Sequence, residues 1–135
     1  MIISASDKLI HTIEVRFFDL DANNHVNNSV YFTYMEEART KLLMKPYLQL
    51  KEKGIQFVVV EATCKYKKPI KLNDEVKIEM TLQPTRRVSF EVLYTFINPE
   101  GEIYAEGKTV MACFNEKTQR PVAIPTDLTE QVKGR

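Results

Sequence analysis

Hydrophobic and polar positions along this chain change period once, early. From Leu9 to Phe18 they alternate: Leu9, His11, Ile13, Val15 and Phe17 share one face, and Ile10, Thr12, Glu14, Arg16 and Phe18 share the other. A period of two predicts a β-strand with one mostly apolar face. The run DANNHVNN, Asp21 to Asn28, follows as a loop of residues that tolerate turns and cap helices. From about Ser29 to Met44 the period becomes helical. Val30, Tyr31, Tyr34, Met35, Ala38 and Leu42 fall on one face, with Glu36, Arg39 and Lys41 mostly elsewhere. Asn27 or Asn28 is the expected N-cap, and Pro46 lies just beyond the expected end.

The rest reads as strands. Ile55–Lys67 is apolar and β-branched. Asp74–Leu82 alternates cleanly through Val76, Ile78, Met80 and Leu82, and Arg87–Phe96 through Val88, Phe90, Val92, Tyr94 and Phe96. Asn98–Gly101 is a turn signal, and Glu102–Phe114 a last strand, before a proline-containing tail expected to be loosely held. One strand, one helix and four strands predict an α+β fold, a five-stranded antiparallel sheet wrapped around one central helix. At 135 residues, the chain is expected to be a single domain, 1–135.

Composition narrows the functions without choosing one. A net charge of +1 gives no global pull toward nucleic acid or membrane. No apolar run approaches the length of a membrane span, and the segment MIISASDKLIHTI lacks the basic and apolar regions of a signal peptide. Cys64 and Cys113 lack metal-ligand spacing and read as free thiols in a reducing compartment, so a cytoplasmic location is expected. The two histidines are far apart in sequence, no glycine-rich phosphate loop is present, and no G-x-S-x-G elbow is present. Neither a metal nor an organic cofactor is expected.

The informative stretch is RFFDLDANNHVNNSVYFTYMEEAR, Arg16 to Arg39, where dense polar residues meet a helix N-terminus. With the later YKKPIKLNDEV, a Y-x-x-P-x-x-x-x-D segment starting at Tyr66, it resembles the hotdog-fold thioesterases of the 4-hydroxybenzoyl-CoA thioesterase type. That group includes bacterial acyl-CoA thioester hydrolases and plant acyl-ACP thioesterases. The resemblance covers nearly the whole chain. It implies hydrolysis of an acyl-CoA or acyl-ACP thioester, and a homodimer or homotetramer with sites at the subunit boundary. Closing an open sheet edge by pairing gives a physical reason for such assembly.

The resemblance assigns the catalytic carboxylate to the second aspartate of D-x-D, Asp21, acting as nucleophile or as general base on water. Asp19 is expected to be a turn or cap residue. The plant enzymes carry D-x-N-x-H, matched here by Asp21, Asn23 and His25. An extended loop would turn all three the same way, with Asn23 positioning water or carbonyl and His25 shuttling a proton. The plant enzymes' later glutamate falls near Pro69 and is absent here. Amides at the helix N-terminus could hold the oxyanion.

Tyr31 and Tyr34 are expected as core or pocket-wall aromatics at the substrate, and Cys64 as a packing residue or part of the acyl pocket. Glu36 and Glu37 are expected exposed or paired with Arg39 and Lys41. Lys65, Lys67, Lys68 and Lys71, then Arg86 and Arg87, read either as solvated strand ends or as contacts for the phosphates of coenzyme A or a carrier arm. Two other classes fit the same fold. A non-catalytic acyl-thioester-binding module would bind without turnover. A hydratase would act on the acyl chain's double bond.

Overall fold

The computed structural model describes residues 8–124. Expectations about a leader in the first seven residues and a tail beyond Ile124 fall outside the described residues. Strands β1 (Leu9–Ile13), β2 (Ile55–Tyr66), β3 (Val76–Arg86), β4 (Ser89–Ile97) and β5 (Ile103–Asn115) form one antiparallel sheet in the order β1-β3-β4-β5-β2. Helices α1 (Val30–Leu42) and α2 (Met44–Glu52) follow one another without a break longer than Leu43.

Alternation explains which sheet face is covered. Val76, Ile78, Met80 and Leu82 of β3 and Phe90, Val92, Tyr94 and Phe96 of β4 are buried, and Tyr31, Tyr34, Met35 and Ala38 of α1 join the same core. α1 comes close because β5 carries Gly107 beneath it. A Cβ there would sit 2.6 Å from the Met35 sulfur, well inside van der Waals contact.

Three expectations are corrected. The first strand stops at Ile13; Phe17–Asp19 is a single turn of 3-10 helix that leaves Phe17 and Phe18 exposed. Pro46 lies just beyond the end of α1, as expected, and also sits buried in the first turn of a second helix, α2, where a missing N–H costs no helical hydrogen bond. α2 ends at Glu52, and Gly54, just past its C-cap Lys53, takes a φ of +75° that suits a residue without a side chain. Arg39 is not on a solvent face with the glutamates. It is buried and donates from Nη1 to the Tyr94 hydroxyl at 3.1 Å, while Glu37 meets His11 at 2.6 Å. The chain after β5 is also held as far as Ile124. Val122 N–H donates to the Cys113 carbonyl at 2.9 Å, and Ile124 N–H to the Arg87 carbonyl at 2.9 Å.

β2 is the edge next to β5, and from Val58 to Thr63 it is exposed on both faces. Among the described residues nothing pairs with its outer side.

Candidate active site

The loop between the 3-10 turn and α1 is built by its own asparagines and aspartates. Asp19 anchors it from below. Its carboxylate, 2% exposed, accepts from the Tyr34 hydroxyl at 2.7 Å, the Arg16 amide at 3.0 Å and Arg16 Nη2 at 3.0 Å. Burial alone would raise this carboxyl's pKa, but the three donors outweigh burial and hold it below the usual carboxylate value. The Asp19 carbonyl also accepts from the Asn27 amide at 2.8 Å, so this residue supports both ends of the loop.

Asp21 closes the turn. Its Oδ1 accepts from the Asn23 amide at 2.8 Å and the His25 amide at 3.2 Å, and its own amide donates to the His25 carbonyl at 2.7 Å. Asn24 takes φ +62° to complete the reversal, a conformation asparagine tolerates well. One oxygen of Asp21 is therefore fixed by the backbone. Oδ2 has no partner among the described residues, and the residue is half-buried. The loop is turned rather than extended, so the alternation expected to align Asp21, Asn23 and His25 does not occur. The Asn23 side chain is exposed, and the half-buried His25 ring makes no hydrogen bond to a described residue.

α1 begins beside this turn. The N-cap is Ser29, not Asn27 or Asn28 as expected, and it makes no side-chain cap bond; Asn27 Oδ1 instead accepts from the Ser29 amide at 3.0 Å and the Ser29 hydroxyl at 2.9 Å. Asn28 does not cap. Its carbonyl accepts from the Tyr66 hydroxyl at 2.9 Å, and its own amide finds no acceptor among the described residues. The Tyr31 and Tyr66 rings meet edge-on at 4.8 Å. Tyr31 is pushed up to about 12, chiefly by burial, with Cys64, Tyr66 and the Asp21 charge adding to it. Cys64 lies beside Tyr66 and is pushed up to about 11 by burial, so its thiol stays protonated near neutral pH. The structure thus gathers Asp21, Tyr31, Cys64 and Tyr66. Tyr34 is set apart, because its hydroxyl is committed to Asp19.

The basic residues do not form one patch in a single chain. Lys67 and Lys68 pair with Glu106 at 3.6 Å and Glu102 at 3.1 Å. Arg86 and Arg87 lie at the turn leading to Ser89, which pairs with Ala112. Ala112 is six residues along β5 from Glu106, or about 20 Å. Clefts of 660, 540 and 490 Å³ open elsewhere on the chain, lined by residues other than Asp21. Among the described residues, no three His, Cys, Asp or Glu side chains group as metal ligands, and no helix is long and apolar enough to cross a membrane.

Tyr66 was within reach of the sequence but unassigned. It opens the Y-x-x-P segment, and only its place at the end of β2 reveals what its hydroxyl touches.

The chain is similar to known thioesterases in sequence and fold. The family model described as the thioesterase-like superfamily matches residues 15–132. The chain is 32% identical over 124 residues to the long-chain acyl-CoA thioesterase FadM of Escherichia coli (strain K12), covering 90% of this chain and 94% of that protein. It is 25% identical over 124 residues to the acyl-CoA thioester hydrolase YbgC of Escherichia coli O6:H1, covering 90% and 92%. The solved structure of DHNA-CoA thioesterase from Staphylococcus aureus superposes with a TM-score of 0.82 at 26% identity, covering 92% of this chain and 87% of that one. The chain belongs to the thioesterase-like superfamily of hotdog-fold enzymes.

Proposed function

We propose that this protein hydrolyses acyl-CoA thioesters, with Asp21 as the reacting carboxylate. The observation that carries the reading is the division of labour within Asp21. Oδ1 is held by two loop amides while Oδ2 is uncommitted, one turn away from the start of α1. Whether Oδ2 attacks the thioester carbonyl or draws a proton from an attacking water, it is the same atom that reacts. The carbonyl oxygen becomes an oxyanion, the C–S bond breaks, and the thiolate leaves to take up a proton; where Oδ2 is the nucleophile, a water then cleaves the acyl–Asp21 anhydride, releasing the carboxylic acid and restoring the carboxylate. The unpaired Asn28 amide supports a role as oxyanion donor. One such donor contributes about 3 kcal/mol of transition-state stabilisation.

Asn23 and His25 serve the carboxylate through their backbone amides, which hold Oδ1, and Tyr31 and Cys64 form one wall. The relatives' acyl-CoA substrates favour coenzyme A. A carrier-protein thioester presents the same pantetheine arm, and the two are separated by assaying both.

The reacting side of the loop is open in a single chain, and the exposed β2 edge ends beside it at Tyr66. A second copy pairing along β2 would supply the missing wall, so the active form is a homodimer or a tetramer built from it.

Thiol release from acyl-CoAs of increasing chain length tests the reading, comparing wild type with Asp21→Asn and Asp21→Ala. Turnover by wild type and a loss of at least a hundredfold in both variants is expected, on the scale of losing a positioned catalytic group. Full activity in both variants would remove Asp21 from the mechanism. Saturable binding without turnover would make the chain a binding module.

A further inference from the structure

The segment from Tyr66 to Asp74 is a strap over the catalytic loop. The Ile70 carbonyl accepts from the Val26 amide at 2.8 Å, and His25 and Lys71 form a single antiparallel bridge. Asp74 Oδ2 accepts from the Lys71 amide at 2.8 Å and fixes the strap's own turn. These bonds hold the middle of the Asp21 loop. The end of the loop, where α1 starts, is held by the Asp19 carbonyl on the Asn27 amide, by Asn27 Oδ1 on Ser29, and by Tyr66 from β2.

That last contact has an unusual partner. The peptide unit joining Asn28 to Ser29 is gripped at both ends. Its carbonyl accepts from the Tyr66 hydroxyl at 2.9 Å, and its N–H donates to Asn27 Oδ1 at 3.0 Å. The Asn28 N–H lies in the preceding peptide plane, whose Asn27 carbonyl accepts from the Val30 amide at 2.9 Å, so Tyr66 fixes the plane on the other side of the Asn28 Cα and the two bonds together constrain the direction of that N–H. The Tyr66 ring is steered by its edge-on contact with Tyr31, which is 2% exposed and part of the core. Tyr66 itself is 43% exposed, so its hydrogen bond competes with water and adds little to global stability. A partly exposed tyrosine spent on one carbonyl beside a reacting carboxylate needs another explanation.

We propose that Tyr66 is a positioning residue for thioester hydrolysis: by holding the Asn28 carbonyl it keeps the Asn28 N–H aimed at the developing oxyanion. The inference rests on the thioester-hydrolase reading above. It does not require Tyr66 to touch the substrate. Attack forms the C–O bond and moves the carbonyl π electrons onto oxygen. The Asn28 N–H meets that charge until the pair returns and the thiolate leaves.

Tyr66→Phe keeps the ring contact and deletes only the hydroxyl. The variant is expected to lose roughly tenfold in kcat on acyl-CoA, a fraction of what losing a whole oxyanion donor costs. KM and Tm should stay at the wild-type values. A trifluoromethyl ketone analogue of acyl-CoA, whose hydrate mimics the tetrahedral intermediate, should bind the variant roughly tenfold more weakly. The S-alkyl-CoA thioether, a ground-state mimic, should bind both proteins alike. Unchanged kcat with unchanged affinity for the ketone overturns the proposal, and so does an equal loss of affinity for both analogues or a fall in Tm. Should wild type be active, Asp21→Asn inactive and Tyr66→Phe fully active, the Tyr66 inference alone fails. A wild type inactive on every acyl-CoA removes both.

Discussion

The Tyr34 hydroxyl donates to Asp19 Oδ2 at 2.7 Å, with the two residues 3% and 2% exposed. The first aspartate of the D-x-D pair therefore builds the loop that carries the second. Its ionised form is stabilised in the folded state by Tyr34 and Arg16, against the cost of burial, and its pKa is lowered. A lowered folded-state value adds stability above the unfolded value of about 3.9, and that stability is lost as pH falls through the folded value. Asp19→Asn is expected to cost about 2 kcal/mol at pH 7, the scale of hydrogen bonds to a charged group. Urea midpoints from pH 7 to pH 3 should converge for the two proteins in acid. Parallel curves would mean that Asp19 contributes no ionisation-linked stability.

The contact between Gly107 and Met35 sets how near α1 lies to the sheet. A methyl group at position 107 would meet the flexible end of Met35 at 2.6–2.7 Å, so the thioether must move. Gly107→Ala is expected to cost roughly 1–3 kcal/mol by overpacking. Because the obstacle is one side chain, Met35→Ala in the same protein should recover part of the loss, giving a coupling of at least 0.5 kcal/mol between the sites. Strictly additive losses in chemical denaturation would place the strain elsewhere.

Most of the sheet was legible because β3 and β4 alternate and bury one face, whereas β5 buries consecutive residues such as Met111, Ala112 and Cys113 and was legible by its apolar content. β2 was legible by composition rather than period, since an edge strand exposed on both faces has no pattern to keep. α2 was hidden by Pro46, a residue that stops a helix but also starts one. In the candidate site, Asp21 is singled out by the family resemblance of its D-x-D and not by spacing, which does not separate it from Asp19, while the Asn24 reversal that breaks the alternation has no periodic signature. Arg39 reads as a surface charge. Its burial depends on the Tyr94 hydroxyl, 55 residues away, which itself lies 2.7 Å from Thr109 Oγ1. Long-range pairs of that kind cannot be read from local spacing.

The separation of the basic residues predicts which of them meet coenzyme A phosphates. Lys67 and Lys68 already face Glu106 and Glu102, whereas Arg86 and Arg87 have no acidic partner among the described residues. Replacing both arginines with glutamine is expected to raise KM for acyl-CoA roughly tenfold, the scale of a lost charge-assisted contact or two, with kcat held. The dependence of KM on salt should flatten. Lys67→Gln with Lys68→Gln should change KM less than twofold. The reverse ranking would assign the phosphates to the strap end of β2.

The β2 edge makes the strongest demand on assembly. Val58, Val59 and Val60 are 38%, 38% and 55% exposed on a strand twelve residues long, with one side unpaired among the described residues. An apolar edge of that length invites pairing, and a lysine on such an edge is a natural way to block it. Val59→Lys is expected to convert the protein to monomers in sedimentation velocity while leaving its far-UV spectrum intact. Because β2 ends at Tyr66 beside the Asp21 loop, the monomer should also lose thioester turnover, although Asp21 and α1 are untouched. Activity should return with rising protein concentration if the substitution weakens pairing without abolishing it. A wild type that is monomeric and active would show that one chain completes the site, and a fully active monomeric Val59→Lys would show the same.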